Sequence, residues 1–264
     1  MIIYLLILVT AFFGSILAGL FGGGAGLIFT PVIFLFLSQN NQNAEHLMQT
    51  SITTMITALL LSGLIACFKQ HKYKHINWSV VKWSAPLVII GSIFGCYVMT
   101  LISSKTLMLI FAIATLILAV RYIHNLYNIR EYSKKKDELS GSLKYLGSFF
   151  LGLICTVSGA ASFAVPYYEK VGLNIKSAIG TTTIIIWLYS VFVTIIMIIS
   201  GIGQSNLPSG NIGYLNYTYL WLFMIPTIPG AILGVKLSYH LPERKLKIAF
   251  TILMVIIGLS MLFA

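Results

Sequence analysis

Two long apolar runs of this chain are interrupted at corresponding places by a cluster of small residues that a proline follows. Gly22, Gly23, Gly24, Ala25 and Gly26 precede Pro31, and Ser158, Gly159, Ala160, Ala161 and Ser162 precede Pro166, the two prolines lying about 135 residues apart. An interruption within apolar sequence frees backbone N–H and C=O groups from helical partners. In hydrocarbon each such group costs several kcal/mol unless protein or a wet cavity satisfies it. Both interruptions are therefore expected to face the inside of a helical bundle, and breaks repeated at matching places point to a solute path between duplicated halves.

Composition places that bundle in a bilayer. The chain is 58% apolar and 9% charged, with a mean hydropathy of +0.93, more apolar surface than a soluble domain of 264 residues can bury. Residues 1 to 21 carry no positive n-region, and the apolar character continues beyond them, so the N-terminus reads as a retained span and not a cleaved signal. The net charge of +11 comes from Lys and Arg in short clusters between apolar runs. That spacing fits cytoplasm-facing loops and excludes a nucleic-acid surface. Cys67, Cys96 and Cys155 are widely separated and lack a CxxC spacing, so neither a disulfide framework nor a metal site is expected. Neither an HExxH motif nor a paired carboxylate set occurs, so no catalytic residue and no cofactor is assigned and an enzyme is not expected.

The apolar segments run over residues 2–21, 27–37, 48–68, 79–102, 106–127, 143–157, 160–169, 177–200, 217–240 and 245–263, five per half. Segments 27–37 and 160–169 would span only about 15 to 17 Å as helices, half the hydrocarbon thickness. Each reads as the return arm of a re-entrant or broken-helix unit. Lys69, Lys72 and Lys74, then Arg130 to Lys144, then Arg244, Lys245 and Lys247 mark three cytoplasmic loops, whereas residues 38–47 and 201–216 hold no Lys or Arg and are placed outside. Corresponding loops thus take opposite sides. The expected fold is an all-α polytopic membrane protein of two inverted-topology repeats: residues 1–127, a cytoplasmic linker at 128–142, and residues 143–264.

Particular motifs refine this. GLFGGGAGLIFTP, MQTS and HINW in the first half, with SGAASFAVP, AIGTTT, GYLNYTYLW and LPERKLKIAFTIL in the second, resemble the TauE/SafE family of sulfite and sulfonate exporters over nearly the whole chain. Gly91 with Gly230 and Gly95 with Gly234 add a repeated small-residue stripe at a common offset of about 139. The second cluster, Ser158-Gly159-Ala160-Ala161, departs from the glycines usual in that family. The resemblance implies a multi-pass protein of the cytoplasmic membrane moving sulfite, sulfonates, thiosulfate or related small oxoanions.

Physical chemistry supplies a site for such an anion. A helix starting at a break presents free N–H groups and the positive end of its dipole, and glycine lets an anion approach closely. The expected substrate-binding residues are Gly22, Gly23, Gly24, Ala25 and Gly26 with Ser158, Gly159, Ala160 and Ala161. Gln49, Thr50 and Ser51, and on the other side Thr181 and Thr182, add side-chain donors. No carboxylate lies mid-segment to relay protons. Export along an interior-negative potential then needs no coupling ion. The expected partners are a small anionic substrate and the lipid bilayer, with a homo-oligomer left open. Two alternatives also stand: a carrier for another organic anion or a neutral solute, and a membrane scaffold subunit that transports nothing.

Overall fold

A computed structural model of the protein describes residues 2–21, 25–40, 44–127, 141–159, 161–240 and 243–262. The first half forms α1 (Ile2–Phe21), α2 (Ala25–Asn40), α3 (Leu47–Lys72), α4 (Trp78–Leu101) and α5 (Ser104–Tyr127). The second forms α6 (Ser142–Val157), a 3₁₀ turn at Ala161–Phe163, α7 (Ala164–Lys170), α8 (Ile175–Gly201), α9 (Tyr217–His240) and α10 (Glu243–Leu262). A small hairpin of β1 (Asn211–Ile212) and β2 (Leu215–Asn216) precedes α9. Among the described residues, five helices, α3, α4, α5, α8 and α9, are long and apolar enough to cross a membrane. The protein is an all-α polytopic membrane protein.

Two element boundaries bear on the sequence reading. The expected half-length helix at 27–37 runs over Ala25–Asn40, where Pro31 is accommodated inside α2. Its C-terminal turn takes in Ser38, whose hydroxyl donates to the Leu35 carbonyl at 2.9 Å. Helix α3 likewise continues through Lys72, so Lys69 is helical and not a loop residue. Polar residues mark where hydrocarbon should end, whereas the helix ends only where its backbone bonding stops. Residues 128–140 of the expected linker lie outside the described residues.

The helices pair symmetrically. The most extensive contacts join α1 to α9, α4 to α6, α5 to α10, α3 to α9, α4 to α8 and α3 to α8. Exchanging first half for second turns each pair into another member of the set or into itself. The α4–α6 crossing is close because a Cβ on Gly91 would overlap the Phe149 carbonyl oxygen and one on Gly95 would lie 3.1 Å from the Leu153 oxygen. At the α1–α9 crossing, Gly230 stands in the same way against the Phe12 carbonyl and Gly234 against that of Ile16. Lipid gives helices no hydrophobic reason to associate, so such backbone approach across small residues carries much of the packing energy.

Direction follows from the same contacts. Residue numbers rise together at both glycine crossings, so each of those helix pairs is parallel. Between α3 and α8 they run oppositely: Thr57 meets Thr194 with hydroxyls 3.0 Å apart, the Trp187 indole donates to the Leu60 carbonyl at 3.0 Å, and the Cys67 thiol donates to the Thr183 carbonyl at 3.6 Å. The third helices of the two halves are antiparallel.

Two asparagines fix the entry of corresponding helices. Asn77 caps α4, its Oδ1 accepting from the Val80 N–H at 3.2 Å, while its own N–H donates to the Thr181 hydroxyl of α8 at 3.0 Å. Asn216 opens α9 in the same manner, accepting from the Tyr219 N–H at 3.2 Å and donating its N–H to the Thr54 hydroxyl of α3 at 3.0 Å. Each half thus anchors the fourth helix of its own repeat on the third helix of the other.

Candidate functional site

The first interruption separates α1 from α2. Gly22, Gly23 and Gly24 lie outside the described residues, and Ala25 begins the helix. The second ends α6: Ser158 occupies the last turn with its hydroxyl on the Ile154 carbonyl at 2.6 Å, and Gly159 takes a left-handed φ of 61°. That conformation suits glycine at a helix C-terminus, where it stops the coil. Ala160 lies outside the described residues, and Ala161 opens the 3₁₀ turn.

The interruptions meet. A Cβ on Gly26 would overlap the Gly159 carbonyl oxygen and lie 3.0 Å from the Met55 Cε. The group that the second break turns toward α2 is therefore a carbonyl oxygen. The amides of Gly22, Gly23, Gly24 and Ala160, also expected from sequence to meet the anion, lie outside the described residues.

Beside it opens a cavity of about 80 Å³. A single water needs only about 10 to 15 Å³ on this measure, so the space admits several waters or a small polyatomic ion. Met55, Leu59, Ser62 and Ala66 of α3 wall one side at steps of three and four residues, the spacing of one helical face. Thr183, Ile186, Trp187 and Ser190 of α8 face them, and Gly26, Gly159 and Ala161 line the cavity too. Aligning the halves on Thr54 and Thr181 superposes Ile56 on Thr183, Leu59 on Ile186, Ser62 on Tyr189 and Gly63 on Ser190. All eight positions line the cavity. It lies about halfway along the two antiparallel helices.

The serine and threonine hydroxyls of the cavity are occupied by their own helices. Ser62 donates to the Leu59 carbonyl at 3.3 Å, Thr183 to that of Ile179 at 2.8 Å, and Ser190 to that of Trp187 at 2.7 Å. A hydroxyl bonded back in this way can rotate its proton toward an incoming anion. It exchanges a neutral acceptor for a charged one, and charge-assisted bonds are roughly twice as strong.

Of the side-chain donors expected from sequence, none lines this cavity. Gln49 donates its amide to the Met99 and Ile102 carbonyls at 3.3 and 2.8 Å, while its Oε1 is buried without a partner. Thr50 accepts from the Asn211 amide at 3.0 Å, Ser51 donates to the Leu47 carbonyl at 2.7 Å, and Thr181 holds Asn77. The Thr182 hydroxyl is buried and unpartnered. The residues missed are the α3 and α8 walls. One signal for them was legible: Trp187 stands within an apolar span and not at its edge, and a buried indole N–H requires a partner.

With the geometry in place, comparison with known proteins is direct. The family model described as "Sulfite exporter TauE/SafE" matches residues 6–261. A "Probable membrane transporter protein" of Haemophilus influenzae is 26% identical, the match covering 97% of each chain. One of Methanocaldococcus jannaschii is 25% identical over 97% of this chain and 94% of its own, and one of Bacillus subtilis is 24% identical over 98% of this chain and 100% of its own. No solved structure matches. Five membrane-length helices, a pairing pattern symmetric between halves and a family match over almost the whole length agree, and the chain belongs to the TauE/SafE family of membrane transporters.

Proposed function

We propose that this protein is a multi-pass transporter of the cell membrane that exports small sulfur-containing oxoanions of the sulfite, sulfonate or thiosulfate class. The observation that carries the reading is the cavity between α3 and α8, lined from both helices and bordered by both helix interruptions. Residues 1–127 and 143–264 act as inverted-topology repeats, in keeping with the antiparallel α3 and α8, and rock about the cavity to open it to either side. Gly26, Gly159 and Ala161 bound the anion, and the cavity hydroxyls turn toward it.

Direction follows from electrostatics. An interior-negative potential of about 100 mV favours exit of each negative charge by about 2.3 kcal/mol. Proteoliposomes loaded with sulfite test the reading. An imposed interior-negative potential should accelerate efflux above that of empty vesicles; efflux indifferent to voltage, or no flux of any sulfur oxoanion, would overturn it.

A further inference from the structure

The cavity-facing stripe of α3 does not end at its last wall residue. Met55, Leu59, Ser62 and Ala66 advance by alternating four and three residues, and the next position on that face is Lys69. Met55 to Ala66 covers about 17 Å at 1.5 Å per residue. Lys69 stands one turn beyond, at the end away from Gly26 and Gly159. Its ammonium donates to the Ile232 carbonyl of α9 at 3.3 Å. Ile232 lies between Ala231 and Val235, which both line the cavity.

We infer that Lys69 is the cationic residue that admits and holds the anion at the cytoplasmic mouth of the cavity. This rests on the transport reading above. A lysine serving only as a topology signal would extend its head to water, whereas this head is turned to a neighbouring helix beside the path. A carbonyl partner orients the ammonium without neutralising its charge. Two of its three donors remain for an oxoanion. No ion pair engages Lys69 among the described residues, and none of the cavity-lining residues is charged. The charge at this mouth is thus available to a solute. Partial burial shields it from salt, so its pull on an anion persists at an ionic strength that screens exposed lysines.

The test is an anion titration of purified protein in detergent, following thermal stabilisation by sulfite, methanesulfonate, sulfate and chloride. Wild type is compared with Lys69→Met, Lys69→Gln and Lys69→Arg. The expected result is a half-saturating concentration at least tenfold higher in Met and Gln and mostly restored in Arg, the size of effect for losing a charge-assisted bond. Two neutral substitutions guard against one that fails to fold. Sulfite bound equally by wild type and both neutral variants would overturn the role of Lys69 while leaving the transport reading standing. Stabilisation by chloride alone, lost in both neutral variants, would support Lys69 and sink the sulfur-oxoanion reading. No anion response in wild type would overturn both.

Discussion

Gly26 rests directly on the carbonyl of Gly159, so that the two small-residue interruptions, more than a hundred residues apart in sequence, form one contact at the edge of the central cavity. The two glycines are not equivalent. A Cβ at position 26 would overlap a backbone oxygen, whereas one at 159 would meet the Ile52 Cγ1 at 3.1 Å, an atom of a side chain that can move.

Gly26→Ala is therefore expected to be the more damaging change. Forcing a methyl into a packed backbone contact costs typically about 1 to 3 kcal/mol. Gly159→Ala instead incurs the strain of a left-handed alanine, about 1 to 2 kcal/mol, with little clash. Melting temperatures in detergent should fall in both, and flux should fall further in Gly26→Ala. A Gly26→Ala variant with wild-type flux would show that the breaks can separate freely.

The asparagine anchors predict an asymmetry. Replacing Asn77 by Ala removes one helix cap, worth about 1 kcal/mol. Asn216 does more, because its amide also donates to the Ser209 carbonyl at 2.9 Å and to Asn211 Oδ1 at 2.8 Å, holding the hairpin together. Asn216→Ala should lower the melting temperature more than Asn77→Ala, and Asn77→Ser should restore most of the smaller loss.

How much of this could be read beforehand depends on which contacts are local. The described helices follow from apolar runs and charged loops, and the glycine pairs at 91 and 230 and at 95 and 234 signal their crossings through a common offset. The breaks at Gly26 and Gly159 are visible because glycine and proline punctuate the backbone wherever they stand. The cavity walls are not. Leu59 and Ile186 look like any residue facing lipid, and only the crossing of α3 with α8 selects them. The sequence makes Thr181 a candidate donor to the anion, whereas its hydroxyl accepting from the backbone N–H of Asn77, 104 residues away in sequence, is visible only in the fold.

Two threonine and serine roles, bracing a helix and meeting the anion, separate experimentally. Thr181→Val deletes the acceptor for a backbone N–H and should cost about 1 to 3 kcal/mol of stability, with the half-saturating anion concentration unchanged. Ser190→Ala removes a hydroxyl that lines the cavity and, among the described residues, bonds within its own helix. It should leave the melting temperature near wild type and raise the half-saturating concentration several-fold. The reverse pattern would return the site to the residues first expected from sequence.

His75, in the turn between α3 and α4, gives the fold a pH dependence with a definite sign. Its Nδ1 lies 3.0 Å from Gln70 Oε1, and its backbone N–H donates to the Gln70 carbonyl at 3.1 Å. Burial, and secondarily the ammonium of Lys176, hold the imidazole below its ordinary value of 6.5. The folded protein thus binds fewer protons at this ring than the unfolded chain does in the window just below pH 6.5. The neutral ring's contribution is complete above 6.5 and is lost as pH falls toward the depressed folded value. The melting temperature should drop between pH 7.5 and 5.5, and His75→Asn, whose amide can keep the bond to Gln70 without titrating, should drop less. Equal slopes in the two proteins would assign the pH response to other groups. Gly180 packs against the His75 carbonyl next to Thr181, so destabilisation of this turn at low pH is expected to reach the docking of α4 on α8, and Asn77→Ala should add little to the pH response if it does.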